Sequence, residues 1–306
     1  MKKRLLILGV TASGKARLAF DLAQHYDAEI ISIDSMKVYC RMDIGTAKPP
    51  VAARAKVPYH LLDVVEPHEA FSVGLFHEQA LAAAHQIETR KRPVIAVGGT
   101  ALYIKALLYG LFDGPAADET LRDQLKQRAQ DEGLESMYRA LQAVDPNAAA
   151  RIDPNDQRRI IRALEVHKLT GKPISSFQTQ FSTPQPSSNW TVIGLRRAKD
   201  VESRRINARV KKMIDLGLVD EVRSLLAEDR PLSKQAAAAI GYAEIIAHLQ
   251  GQWDLLEAME KIKINTRRLA KHQRTWFKTF PGIHWLDMDN EYPPEKLLDL
   301  VQSQYY

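Results

Sequence analysis

The feature that most constrains the fold of this chain is a glycine-rich stretch near its start, GVTASGKAR at residues 9–17. It matches the phosphate-binding pattern G-x-x-x-x-G-K-[ST] except at the last position, where Ala16 replaces the serine or threonine that holds magnesium. In such a loop backbone N–H groups face phosphate oxygens and Lys15 adds a positive charge. A structural turn with an incidental lysine is the alternative. The predicted phosphate-binding residues are Gly9, Val10, Thr11, Ala12, Ser13, Gly14, Lys15 and Ala16.

The residues around the loop predict a strand before it and a helix after it. An apolar run at residues 4–8 leads into the loop, and Leu18, Leu22 and Tyr26 recur at helical spacing behind it. Alternating strands and helices indicate an α/β fold with a parallel sheet, whose ligand crevice lies at the carboxyl ends of the strands. Further strands are predicted at residues 29–34, 93–97, 191–195 and 283–286.

The middle of the chain has a different pattern, without strand signals. Helical stretches are predicted at residues 119–142, 146–151 and 155–170, and residues 182–189 (STPQPSSN) resemble a linker. We therefore expect a phosphate-loop α/β core flanked by helices, with an all-helical insertion. The expected domains are the core at residues 1–112 and 189–306 and the insertion at residues 113–188.

The charge of the chain permits a polyanionic partner. The net charge is +6, and it is concentrated in two runs. Residues 196–212 hold eight Lys or Arg against two acids, and residues 261–278 hold seven with no acid. Solvated helix faces are the simpler interpretation of one such run. Two runs beside a phosphate loop favour an RNA or nucleotide surface.

The termini and the cysteine content favour a cytoplasmic protein without membrane association. The apolar run in MKKRLLILGV ends at Val10, which is too short for a signal peptide or a membrane span. The single cysteine, Cys40, excludes an intrachain disulfide framework and fits a reducing compartment.

Two polar residues are predicted at strand ends near the loop. Asp34 follows a strand and either caps the next turn or acts as a general base beside the bound phosphates. Thr100 follows Gly98 and Gly99 and either caps a helix or positions a substrate. His60 fits a core histidine, and no His or Cys cluster has zinc-site spacing. These residues leave open whether the enzyme transfers a phosphoryl group or holds a diphosphate that leaves.

Ordered motifs over nearly the whole chain resemble one family, the tRNA dimethylallyltransferases (tRNA isopentenyltransferases). The motifs are GVTASGKA at 9–16, DSMKVY at 34–39, MDIGTAKP at 42–49, YHLLD at 59–63, GGTALYIKALL at 98–108, DPNDQRRIIRALE at 153–165, IGY at 240–242 and TRRLAKHQRTWF at 266–277. The resemblance implies transfer of a dimethylallyl group from dimethylallyl diphosphate to the exocyclic N6 amine of adenosine 37 in tRNA, with release of diphosphate. It further implies Mg²⁺, a monomer, and a helical insertion that binds the tRNA anticodon stem-loop.

The resemblance also assigns roles to individual residues. The implied catalytic residues are Asp34 as the general base, Lys15, Thr100 and Arg205. The implied tRNA-binding residues are Asp34, Ser35, Met36, Lys37, Thr100, Arg122, Arg158, Arg159, Ile160, Ile161 and Arg162. An exposed helix face is the alternative for the three arginines at 158, 159 and 162. No metal ligands are assigned.

Three departures from the family pattern lie near the expected site. Ala16 lacks the metal-binding hydroxyl, Lys199 stands where the family tends to have an arginine near the diphosphate, and Lys37 replaces a common glutamine. A lysine provides a point charge without the bidentate fork of arginine. Two alternatives to the active enzyme follow: a catalytically weakened tRNA-binding homologue, and an isopentenyltransferase that acts on free adenine nucleotides.

Overall fold

The computed structural model describes residues 4–111, 114–177 and 190–288. Within the chain, contacts define two compact units. The first comprises Met1–Leu108 and Ser187–Tyr306, and the second comprises Tyr109–Pro186. The linker-like segment at residues 182–189, and the expected domain boundaries at 112–113 and 188–189, lie outside the described residues.

The first unit contains a six-stranded sheet whose described strands all pair in parallel. The strands are β1 (Arg4–Gly9), β2 (Glu29–Ile33), β3 (Tyr59–His60), β4 (Val94–Gly98), β5 (Trp190–Arg196) and β6 (His284–Asp287), in the order β3-β2-β4-β1-β5-β6. Each predicted strand is present. The two-residue strand β3 is additional, because so short a run carries no alternation of apolar and polar residues.

Helices surround this sheet and form the second unit. They are α1 (Lys15–Tyr26), α2 (Val51–Arg54), α3 (Val73–Thr89), α4 (Ala101–Tyr109), α5 (Glu119–Asp131), α6 (Leu134–Val144), α7 (Pro146–Ala149), α8 (Gln157–Thr170), α9 (Ile174–Phe177), α10 (Lys199–Asp215), α11 (Leu218–Leu226), α12 (Lys234–Ala237), α13 (Tyr242–Leu249) and α14 (Leu255–Phe277). None of the helices in the described ranges combines the length and the apolar character that crossing a bilayer demands.

Burial of the central strands on both faces explains the parallel sheet. Every residue of β2 and β4 is buried, as are all residues of β1 except Arg4. Strands buried on both faces consist of continuous apolar runs and need helices on each side. On one face, apolar residues of α1 such as Leu18 and Leu22 join the core formed by alternate strand residues such as Leu5. The predicted α/β class with a parallel sheet is confirmed.

The second unit is helical in its described part. Its core is built from apolar residues of α5 to α9, among them Leu125, Leu141 and Ile160. The helical stretch predicted over residues 119–142 consists of two helices, since α5 ends at Asp131 and α6 begins at Leu134. Gly133 between them has φ +83°, a left-handed conformation that interrupts the helix and that glycine adopts without steric cost.

Candidate active site

The carboxyl ends of β1, β2 and β4 bring the phosphate loop, Asp34 and the Gly98–Gly99–Thr100 turn to one edge of the sheet. The backbones approach closely there: a Cβ atom on Gly98 would lie 1.9 Å from the carbonyl oxygen of Ile33. The amides of Gly99 and Thr100 both donate to that oxygen, at 3.3 and 3.4 Å. Residues far apart in the sequence are therefore held together by main-chain contacts.

The backbone of the phosphate loop turns back on itself and leads directly into the amino end of α1. The Ser13 amide donates to the Val10 carbonyl at 3.2 Å, and the Lys15 Nζ donates to the same oxygen at 3.1 Å. Ala12 and Gly14 have positive φ angles of 65° and 102°. Because the first amides of a helix lack intrahelical partners, the amino end of α1 carries N–H donors for an anion.

Three arginines from the α10 region fix this loop from outside. The Nε atoms of Arg205 and Arg197 donate to the carbonyls of Ala12 and Ser13, at 2.8 and 2.9 Å. Arg209 donates to the hydroxyl of Thr11 at 3.1 Å. The hydrogen bonds from Arg197 and Arg205 fix the orientation of the loop's peptide planes, and the guanidinium groups add positive charge beside the loop.

Arg197 was not predicted from the sequence. Its guanidinium NH2 lies 3.6 Å from the position that a Cβ atom of Gly14 would occupy, and that of Arg205 lies 4.0 Å from it. Lys199, which takes the place of a family arginine, is exposed at the first residue of α10. The basic run of residues 196–212 was noted, but charge content does not say which arginine faces the loop.

Electrostatics at the loop is dominated by cations. The pKa of Lys15 is lowered to about 7, mainly by burial and in addition by the charges of Arg209 and Lys37. Burial is also the main cause of the lowered pKa values of Lys37 and Arg209. The Asp34 carboxylate opposes the shift at all three groups. One carboxylate among so many cations leaves an excess of positive charge, which suits a polyanion such as a diphosphate.

Asp34 is partly buried and fixed through one of its oxygens. Its Oδ1 accepts from the backbone amides of Met36 and Lys37, at 2.9 and 3.3 Å. Among the described contacts Oδ2 accepts no hydrogen bond. Asp34 therefore caps the following turn, as one interpretation of the sequence expected, and keeps an oxygen that can take a proton.

Thr100 connects the end of β4 with the segment after β2. Its Oγ1 accepts from the Ser35 amide at 3.1 Å and lies 3.5 Å from the Ser35 hydroxyl. Its carbonyl accepts from the Ile104 amide at 3.0 Å, in the first turn of α4. The Thr100 carbonyl thus accepts the first hydrogen bond of α4, while its hydroxyl holds the Ser35 amide, and substrate positioning by this hydroxyl stays a prediction.

His60 lies in a structural cluster. Its Nε2 is 2.7 Å from Oε2 of Glu29, the first residue of β2, and Arg90 donates to the same carboxylate at 2.7 Å. Burial alone would raise the pKa of Glu29, but the hydrogen bonds from Arg90 and His60 hold it below the usual range. Glu29 is at the amino end of β2, away from the edge that carries Asp34.

The residues at the loop do not fit a magnesium ion held by protein ligands. Ala16 is exposed and has no side-chain donor. Ser13 Oγ is buried without a hydrogen-bond partner in the described chain, and that atom touches the backbone of β1: a Cβ on Gly9 would lie 2.7 Å from it. In the described ranges no group of three or more His, Cys, Asp or Glu side chains has metal-binding geometry.

Two of the predicted tRNA-binding arginines surround a buried carboxylate in the second unit. Arg122 Nε lies 3.0 Å from Oε1 of Glu165, and Arg162 NH1 lies 2.7 Å from its Oε2. Burial by itself would raise the pKa of Glu165, but hydrogen bonds from Arg162, from the Asp118 amide and from Arg122 hold it below its usual range. These arginines therefore stabilise the unit and remain partly exposed.

The other predicted residues of α8 divide by burial. Arg158 and Arg159 are exposed, and Arg159 pairs with Asp156 at 3.0 Å. Ile160 and Ile161 are 0% and 5% exposed and pack in the core of the second unit. The isoleucine side chains therefore pack in the core, whereas Arg158 and Arg159 are exposed to solvent.

Comparison with known proteins identifies the family of this chain. The sequence model of the family described as IPP transferase matches residues 37–280. The tRNA dimethylallyltransferase of Geobacter metallireducens is 46% identical over 306 residues, covering 100% of this chain and 98% of the relative. That of Natranaerobius thermophilus is 42% identical over 311 residues, covering 99% of this chain and 93% of the relative.

The solved structures that resemble this chain include enzymes of the same family. The tRNA isopentenylpyrophosphate transferase of Bacillus halodurans superposes with a TM-score of 0.73 at 37% identity, covering 100% of this chain and 97% of its own. A eukaryotic dimethylallyltransferase described as acting on tRNA superposes with a TM-score of 0.82 at 28% identity, covering 95% of this chain and 75% of its own.

Proposed function

The chain belongs to the IPP transferase family, the tRNA dimethylallyltransferases, and from this premise we propose that it transfers a dimethylallyl group from dimethylallyl diphosphate to the N6 amine of adenosine 37 in tRNA. It is a prenyltransferase that modifies tRNA. The observation that carries the finer proposal is that the cationic loop and the Asp34 carboxylate occur at the carboxyl ends of β1 and β2, the two strands that flank β4. The leaving-group side and the proton-accepting side of one transfer reaction thus share one edge of the sheet.

The phosphate loop holds the diphosphate of the donor. The amides at the start of α1, Lys15 and Arg205 provide fixed positive charge where negative charge develops as the bond between the allylic carbon and the phosphate oxygen breaks. The electron pair of that bond leaves with the diphosphate. No phosphoryl group is transferred, so the reaction needs no ATP.

Asp34 accepts the proton from the adenine amine. The N6 lone pair is delocalised into the ring, so removal of an N–H proton while nitrogen bonds to the allylic carbon lowers the barrier. The Met36 and Lys37 amides hold Oδ1, and Oδ2 takes the proton. Thr100 positions this segment through its bond to the Ser35 amide.

The acceptor base must leave its stack to reach the donor, which costs a few kcal/mol. A single-stranded anticodon loop lowers that cost, and contacts to the surrounding stem-loop offset the rest. We assign the stem-loop contact to the second unit, with Arg158 and Arg159 of α8 at phosphates. We further propose a monomer as the active form.

Magnesium in this enzyme is proposed to depend on the diphosphate and water for its ligands, because Ala16 removes the protein hydroxyl. The steps above involve only residues of the chain. The same substitution motivates the alternative of a tRNA-binding homologue with weakened catalysis.

The test is a reaction of the purified protein with unmodified tRNA, dimethylallyl diphosphate and Mg²⁺, followed by nucleoside analysis. The expected result is a mass gain of one dimethylallyl group on adenosine 37, formed much more slowly by Asp34→Asn. No gain with any tRNA would contradict the proposal. A protein that binds tRNA and transfers the group only as Ala16→Thr would favour the weakened homologue, and preference for AMP over tRNA would favour a nucleotide enzyme.

A further inference from the structure

A single buried amide side chain connects the two loops of the site. Gln273 lies in α14 and is 8% exposed. Its Oε1 accepts from the Thr11 amide in the phosphate loop at 2.8 Å, and its Nε2 donates to the Gly99 carbonyl at 2.9 Å. The bond therefore links the loop after β1 to the turn after β4, and both partners are main-chain groups.

The chemistry of the two partners requires an amide at this position. One partner is a donor and the other an acceptor, and a glutamine side chain offers both functions in one planar group. A buried main-chain group without a partner costs about 1–3 kcal/mol, and loss of the amide would leave the buried Gly99 carbonyl and the part-buried Thr11 amide without this partner. The contact is also tight, since a Cβ atom on Gly99 would lie 2.5 Å from Nε2.

Each end of the bridge continues into another group of the proposed site. Thr11, which donates to Gln273, also receives a hydrogen bond from Arg209 at its hydroxyl, 3.1 Å away. Gly99 directly precedes Thr100, whose Oγ1 accepts from the Ser35 amide beside Asp34 at 3.1 Å. Displacement of the amide would therefore move the diphosphate side relative to the base side.

We propose that Gln273 is a positioning residue that sets the separation between the diphosphate loop and the Asp34 segment. It touches neither substrate directly and acts through Thr11 and Gly99. The inference rests on the proposed dimethylallyl transfer. It adds the residue that fixes the position of the donor site relative to the acceptor site. A displacement of about 1 Å between reacting groups can reduce a rate about 100-fold.

The experiment compares Gln273→Met with the wild type. Methionine fills a similar volume and makes neither hydrogen bond. We expect kcat to fall by about 10–100-fold and the KM for dimethylallyl diphosphate to rise, with tRNA affinity unchanged within about twofold. Gln24→Met, on an exposed position of α1, is the matched control and should behave as the wild type. Wild-type kcat and KM in Gln273→Met would overturn the proposal.

A second variant reaches the same bridge from its other end. Gly99→Ala places a methyl group against the amide while Gln273 remains present. The two changes should have effects of similar size and, when combined, should lower kcat no further than the more severe single variant, because both remove one interaction. Fully multiplicative effects on kcat would overturn the proposal, as would an equal loss of tRNA binding.

Hydrogen exchange separates this inference from the proposed function. The Thr11 amide should exchange at least about 10-fold faster in Gln273→Met than in the wild type, since its acceptor is lost. This measurement needs no turnover. If the wild type is inactive, the proposed transfer reaction is refuted, but the exchange rate of the Thr11 amide still tests the Gln273 bridge. If the wild type is active and Thr11 exchange is unchanged in Gln273→Met, the bridge is refuted.

Discussion

The lowered pKa of Lys15 predicts that diphosphate binding takes up a proton. In the free protein the pKa of this lysine is about 7, because its ammonium group is buried among other cations. A bound diphosphate places negative charge beside the ammonium and raises the pKa. Binding therefore adds protons at pH values above 7, and affinity must fall as the pH rises.

The magnitude follows from the free-state pKa of about 7. The protonated fraction of Lys15 is about one half at pH 7 and about 1% at pH 9. If the bound form stays protonated, the affinity for diphosphate falls about 50-fold over this interval, and about 0.9 proton is taken up per ligand at pH 8. This pH dependence adds to any titration of the ligand itself.

Calorimetry measures the uptake directly. Titrations with diphosphate in two buffers of different ionisation enthalpy give the number of protons taken up. Lys15→Arg keeps a positive charge that does not titrate, so it reports the contribution of the ligand alone. We expect the wild type to take up about 0.9 proton more than Lys15→Arg at pH 8. Equal uptake by the two proteins would refute the account of the loop as an anion site with a deprotonated lysine.

Other predictions concern the base, the RNA surface and the close backbone contact. Asp34→Asn should lower single-turnover rates by about 10²–10⁴-fold and leave the affinity for dimethylallyl diphosphate nearly unchanged, since only the proton acceptor is lost. In filter binding across salt concentrations, Arg158→Ala should weaken tRNA affinity and reduce the salt slope by about 0.7–0.9, whereas Arg139→Ala, an exposed residue of α6, should not. Gly98→Ala forces a Cβ to within 1.9 Å of a β2 carbonyl and should cost about 3 kcal/mol in urea unfolding, whereas Gly74→Ala in α3, with 3.5 Å to its nearest neighbour, should not destabilise.

The sequence predicted the elements that carry strong local patterns. The spacing of Leu18 and Leu22 predicted α1, and the apolar runs predicted β1, β2, β4, β5 and β6. The phosphate-loop motif predicted a turn between β1 and α1. Glycine permits such a turn, because it adopts the positive φ that Gly14 has in the structure. Local signals of this kind need no knowledge of distant residues.

The side-chain contacts between residues far apart in the chain had no local sequence pattern that could predict them. Arg197 and Gln273 reach the loop over 184 and 262 residues of sequence. Arg197 lies in a run of basic residues, and nothing in the sequence distinguishes it from the other cations of that run. Gln273 lies in a motif whose residue pattern does not by itself indicate a chemical role for the glutamine. Only the tertiary fold, which brings the segment before α10 and the helix α14 to the loop, selects these two side chains. Ile160 was assigned to tRNA binding with its whole motif by resemblance, whereas its side chain is 0% exposed.

The most direct test of the central claim is the stoichiometry of the products. The account holds that the loop binds a leaving diphosphate, so one diphosphate should appear for each prenylated adenosine, at the same rate and without ATP. Both products can be quantified in one time course, by an enzymatic diphosphate assay and by mass spectrometry of the tRNA nucleosides. Equal slopes are the predicted result. Release of orthophosphate instead, or a requirement for ATP hydrolysis, would contradict it.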